Sequence, residues 1–330
     1  MLGALTGSAL LAVLGSFAFP GVGQGFAAHR LRGVVWAIAC IASVVLVLVS
    51  VWALVASLAL RVASAVDAYL CMRRHTPPHD FKSAAIALVI GAVGIGGVKM
   101  TMIEGFKIPS SSMYPTLIIG DHLFVDKLSV KWREPSRGEI IVFEQPCAHR
   151  TYIKRVIAIG GDTVEVRCSV VYVNGIAKTP TLVAKETEYS DYDDSRGEWF
   201  KRSVSRYRET IDGHTFDTFR GDQDRGDFPS RDRPFAPSCT HGEFFGEQAP
   251  AANQPSGTLV ESKSNAEACE PQLHFVVPPR SLFVMGDHRH NANDSRYWGV
   301  VPLGNVIGRA INIWMSDGPE GSWSRFGAIE

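Results

Sequence analysis

The chain has 330 residues, 33 basic and 33 acidic side chains, and a formal net charge of zero. That length allows one large domain or two modest ones, and balanced charge without a basic stripe or tail leaves no electrostatic footprint for nucleic acid. No CxxC pair occurs among the six cysteines, so neither a zinc ribbon nor a thioredoxin-like redox site is implied.

Residues 1–103 are dominated by Ala, Val, Leu, Ile and Gly, whereas 104–330 carry Asp, Arg, Glu, Pro and Gly throughout. A membrane region followed by a water-exposed domain accounts for that asymmetry. The first 20 residues are apolar but lack a charged start, which argues against a cleavable signal peptide and for a short span or interfacial helix. The glycine-rich stretch 20–25 predicts a turn. Residues 34–60 contain no charged side chain, and the apolar run continues past Arg61 to about residue 66. As one helix it would be about 50 Å long, against a hydrocarbon core of about 30 Å. Arg30 and Arg32 precede it, and Arg61, Arg73, Arg74 and Lys82 follow it. Positive flanks favour the cytoplasmic side, so a helical hairpin turning near 50–52 is expected within residues 1–82. A further apolar segment, 84–98, then forms an anchor helix over 83–103, with Lys99 snorkelling near its end.

Beyond residue 104 the pattern is short apolar runs bounded by Gly, Pro and Asp. Strands are predicted at 122–126, 139–143, 153–159, 163–166, 170–173 and 282–285, with Asn174-Gly175 a strong hairpin turn. The fold class is therefore mostly β: an antiparallel β-rich domain preceded by transmembrane helices. Its core divides into 104–178 and 273–330. Between them, 179–272 is polar and rich in Asp, Arg, Ser and Pro, and reads as an inserted loop-rich subdomain. Cys147, Cys168, Cys239 and Cys269 permit disulfides in an oxidising compartment. They are either unpaired or contribute a bridge such as Cys239–Cys269.

Three clusters carry candidate chemistry. IPSSSMYPTL at 108–117 places three serines before a proline-braced turn, either a polar linker or a rigid loop presenting a hydroxyl. YIKRVIAIGGD at 152–162 puts Lys154 on a strand face with Tyr152 and Val156. It is either a lysine snorkelling at a strand edge or a buried amine. Burial disfavours the ammonium, and a neutral amine can take a proton from a serine. MGDHRHNANDSRYWG at 285–299 offers Asp287, Arg289, Asp294 and Arg296 as mutually paired bridges that shape a loop. His288 and His290, two residues apart without a carboxylate pair, make a poor metal pattern.

In order and wording these clusters resemble the conserved boxes of type I signal peptidases, membrane serine proteases with a Ser–Lys dyad. The first resembles the serine box P-S-x-S-M-x-P-T-L, and the second the lysine box. The third resembles G-D-N-R-x-N-S-x-D-S-R. RGEIIVF at 137–143 resembles the intervening strand, and IWMS at 313–316 the closing one. The resemblance covers about 104–175 and 273–316. It implies Ser112 as nucleophile and Lys154 as general base. The implied oxyanion hole is the Ser112 amide with the Ser110 hydroxyl. Phe106, Ile108, Leu123, Tyr152 and Ile153 match shallow substrate pockets for small residues at −1 and −3. Gly286, Asp287, Arg289, Asp294, Ser295 and Arg296 match a site-supporting loop. The implied partners are signal peptides of exported preproteins and a lipid bilayer, with no nucleic acid, metal or cofactor. The implied place is a bacterial inner membrane with the catalytic domain on its outer face. Ala292 stands where the family places a serine that hydrogen-bonds the lysine, a loss of about 1–2 kcal/mol in orientation. A protease dedicated to one substrate and a catalytically impaired scaffold are the alternative readings.

Overall fold

A computed structural model describes residues 7–46, 52–74, 80–147, 150–221, 239, 255–261 and 273–329. The chain forms two compact units, Met1–Glu104 and Gly105–Glu330.

The first unit is helical: α1 (Gly7–Ala18), α2 (Val22–Phe26), α3 (Arg30–Val45), α4 (Ala53–Arg74) and α5 (Phe81–Thr101). The turn expected over 20–25 is confined to Pro20-Gly21, and α2 follows at once. Gly21 has φ of 100°, and a Cβ there would lie 2.0 Å from the Gly33 carbonyl oxygen, so only glycine fits. Two helices, α3 and α4, occupy the long apolar run; most of the turn expected between them lies outside the described residues. Asp80 caps α5 by accepting from the Ser83 amide at 3.1 Å. Among the described residues, one helical segment, Val55–Arg73, is long and apolar enough to cross a membrane; Ser8–Ala18 and Phe81–Gly94 are shorter apolar helices.

This unit packs with its polarity reversed. Leu11, Leu31, Val35, Val55 and Val93 are exposed, while Ser16, Gln24 and Ser64 are wholly buried. Gln24 accepts from the Ser16 hydroxyl at 2.8 Å and donates to the Ser64 carbonyl at 2.8 Å. Asp67 accepts from Gln24 at 3.1 Å and from the Trp36 indole at 2.9 Å. These buried groups are satisfied by one another, as burial requires.

The second unit is antiparallel β. Its main sheet contains β1 (Ile103–Lys107), β2 (Asp121–Asp126), β3 (Ile140–Glu144) and β4 (Thr151–Ile159). A second sheet contains β5 (Thr163–Arg167), β6 (Val170–Val173) and β7 (Ile176–Lys178). A third is β8 (Thr181–Asp193), β9 (Glu198–Ile211) and β10 (His214–Arg220). β11 (Thr258–Glu261) and β12 (Leu273–Val276) join the second sheet. β13 (Ser281–Met285), β14 (Val301–Pro302), β15 (Val306–Ser316) and β16 (Gly327–Ala328) complete the first. Ile157, Val164, Val171, Phe275, Phe283 and Met285 pack one apolar core where the first two sheets meet.

The insert corrects the loop-rich expectation: 181–220 is a three-stranded sheet. Its long strands lack an apolar face to read from sequence. Antiparallel backbone pairing joins them, and charge reinforces the β9–β10 pair, with Asp217 accepting from Arg206 at 2.7 Å and Arg208 at 2.8 Å. β10 also docks on the 286–296 loop. The Phe219 amide donates to the Asp287 carbonyl at 3.0 Å, and the Arg289 amide to the Phe219 carbonyl at 2.9 Å. The disulfide reading is corrected too: Cys239 bonds Cys147, 92 residues away, because the fold rather than chain proximity sets the pairing. Cys168 is also disulfide-bonded.

Candidate active site

Ser112 lies in a single 3-10 turn, Ser111–Met113, entered from an extended Ser110. Buried Met113 and Leu117 hold that turn against Ile108 and Leu123 beneath it. The Tyr114 ring stacks at 6.3 Å on Phe219, and its hydroxyl donates to the Ser190 carbonyl at 2.9 Å. The insert thus braces the serine loop from β8 and β10.

Lys154 reaches this turn from β4. Its Nζ donates to Ser112 Oγ at 2.9 Å and to the Ile153 carbonyl at 2.9 Å. The side chain is buried at 3 % exposure. Burial pushes the lysine down to about 8, against the opposing charges of Asp294 and Asp287. Ser110 Oγ sits 3.3 Å from Ser112 Oγ on the exposed side. Gly286 explains the close approach of the third cluster: a Cβ there would meet the Ser112 carbonyl oxygen at 2.4 Å and Ala292 Cβ at 2.3 Å.

The pairing expected inside the 286–296 loop is only partly internal. Arg296 binds Asp294 at 2.8 Å, and Asp294 accepts from the Gly286 amide at 3.0 Å. Ser295 Oγ accepts from the Val284 amide at 2.9 Å. Asp287 instead takes Arg155, at 2.9 and 2.7 Å, together with the Thr116 hydroxyl at 2.5 Å. Arg289 takes Glu209 of β9 at 2.9 Å. Burial opposes the Glu209 charge, yet Arg289 and Arg220 hold its carboxyl below the usual range. The correction has a simple cause: alternation turns Arg155 away from Lys154 toward Asp287, and the insert delivers Glu209.

His288 and His290 face backbone carbonyls, Ser111 at 3.3 Å and Gly221 at 2.7 Å. Burial pushes His288 down to about 3, so it stands neutral against the serine loop. Sequence reasoning missed Tyr114, Arg155, Glu209, Phe219 and Asn291. Only Arg155 carried a local signal, a second cation beside Lys154 in an apolar strand. Asn291 donates to Ser111 Oγ at 2.9 Å.

The serine and lysine open into a cleft of about 610 Å³. Tyr152 and Ile153 line one wall; Asp191, Asp193, Asp194 and Phe200 of the insert line another. Ile108 and Leu123 instead lie in the core beneath the loop, and Phe106 is half-buried on β1. A hydroxyl bonded to a desolvated amine is an arrangement able to generate an alkoxide nucleophile without histidine.

The family model described as "Signal peptidase, peptidase S26" matches residues 81–315. Signal peptidase I of Buchnera aphidicola subsp. Acyrthosiphon pisum is 30 % identical over 251 residues, covering 68 % of this chain and 73 % of that protein. Signal peptidase I of Aquifex aeolicus is 31 % identical over 225 residues, covering 64 % and 76 %. That of Pseudomonas aeruginosa is 28 % identical over 239 residues, covering 65 % and 66 %. The chain therefore belongs to peptidase family S26, the signal peptidases.

Proposed function

We propose that this signal peptidase removes signal peptides from exported preproteins with Ser112 as nucleophile and Lys154 as general base. The observation that carries the reading is the 2.9 Å contact between Lys154 Nζ and Ser112 Oγ, made by a buried lysine held down to about 8. In its neutral form Nζ accepts the Ser112 proton as Oγ attacks the scissile carbonyl. The Ser112 amide and Ser110 hydroxyl stabilise the tetrahedral oxyanion, about 3 kcal/mol per donor. The lysine then protonates the leaving amine and activates water against the acyl-enzyme. Tyr152 and Ile153 contribute the small apolar pockets at −1 and −3, with Ile108, Leu123 and Phe106 shaping them from beneath.

The helical unit anchors the enzyme in the membrane, with the active site on the outer face. Its outward Leu and Val with inward Ser and Gln suit lipid rather than water. The Cys147–Cys239 bond suits an oxidising compartment. Reporter fusions at Ser50 and His79 should report opposite sides; the same side refutes the hairpin. Specialisation for a dedicated substrate is favoured by one observation, that insert residues wall the cleft. Profiling cleavage across many precursors separates broad from dedicated specificity. Purified wild type, Ser112→Ala and Lys154→Ala, assayed on one precursor, test the dyad; equal processing by all three refutes it.

A further inference from the structure

Behind the 286–296 loop lies a second concentration of buried charge. Arg155 pairs with Asp287 at 2.7 Å and Arg296 with Asp294 at 2.8 Å. Arg220 and Arg289 share one carboxylate, Glu209, at 2.8 and 2.9 Å. Four guanidinia meet three carboxylates, so one buried positive charge is unbalanced. Arg289 is 3 % exposed. Its Nε, Nη1 and Nη2, and Nε of Arg220, have no hydrogen-bond acceptor among the described residues. The Arg289–Glu209 contact has ion-pair distance without hydrogen-bond alignment. Buried donors left unmet are costly and call for a partner.

Arg220, Arg289 and Arg296 converge on a cavity of about 10 Å³, closed by Val166, Val171 and Met285. That is the space open to the centre of a water-sized sphere, so one monatomic ligand somewhat larger than water fits. Ser169 and His290 complete the wall, and His290 Nδ1 already meets the Gly221 carbonyl at 2.7 Å. Guanidinium groups donate and never accept. A neutral water can accept from at most two of these donors and leaves the unbalanced charge in place. An acceptor-only species with one negative charge matches both the donor set and the unbalanced charge.

We propose that this cavity is a buried site for a monovalent anion of halide size, which neutralises the arginine cluster and locks the 286–296 loop against the insert. The site is separate from the cleft and independent of which substrate is cut. Two experiments on the full chain in detergent test it. Crystals grown in bromide should give an anomalous peak within hydrogen-bond reach of Arg289; its absence overturns the proposal. In solution, chloride should raise the unfolding midpoint saturably, by about 3 °C over gluconate at matched ionic strength. Val171→Ile, which fills the cavity without touching a charge, should fold normally in gluconate and lose the chloride response. Equal midpoints in the two salts, or an undiminished response in Val171→Ile, overturn the assignment.

Discussion

Strand β4 buries a cation on each of its faces, and the two have opposite fates. Arg155, 1 % exposed, meets Asp287 through two nitrogens, donates to the Gly138 carbonyl at 2.7 Å and lies 3.8 Å over the Phe216 ring. Lys154, 3 % exposed, hydrogen-bonds only neutral oxygens among the described residues, and Asp287 and Asp294 reach it through space. Burial is the same on both faces, but a guanidinium holds its proton far more tightly than an amine, and only Arg155 has carboxylate contact. A matched carboxylate makes the guanidinium a strut. Without one, desolvation makes the amine surrender its proton readily.

The contrast breaks most visibly on the lysine face. Ser112→Ala should lower kcat by at least about 10³-fold in single-turnover processing, with an unchanged unfolding midpoint; a loss under tenfold places the chemistry elsewhere. On the opposite face, Arg155→Met strands Asp287 in the interior. Denaturant unfolding should register a loss of about 3–5 kcal/mol, and Arg155→Met/Asp287→Leu should recover most of it. If both changes cost the same, Arg155 is not a strut.

A pH profile sharpens the comparison. Protonated Lys154 cannot act as base, so kcat/KM should fall about tenfold per unit as pH drops below about 8. Asp294 raises the lysine, so Asp294→Asn should move that limb to lower pH. A stationary limb would show that the carboxylate exerts no field on the amine. The smallest effect belongs to Ala292→Ser. One added hydroxyl near the lysine should change kcat by less than about tenfold. A larger gain would mean that the present arrangement is poorly oriented.

The Ser112 and Lys154 runs were each ambiguous alone, a polar linker and an edge lysine being the plain alternatives, and only their resemblance in order and wording to the signal peptidase boxes singled out the proposed pair. The core strands were legible through alternation and Gly-Asp or Asn-Gly turns. The insert was not, since β8 and β9 show no regular apolar stripe and the β9–β10 pair is reinforced by Arg206, Arg208 and Asp217. Glu209 was invisible as a site residue for the same reason: its role exists only once the insert lies beside Arg289. The Cys147–Cys239 bond spans 92 residues, and nothing local announces such a closure.

The docking of β10 on the loop that follows β13 has a consequence for biogenesis. Both reactive side chains are synthesised by residue 154, yet Glu209, Phe219 and the 286–296 loop that hold them are made later. A nascent chain halted before Gly286 therefore carries Ser112 and Lys154 but not the elements that frame them. On the proposed mechanism, the frame of the dyad is complete only near the end of translation.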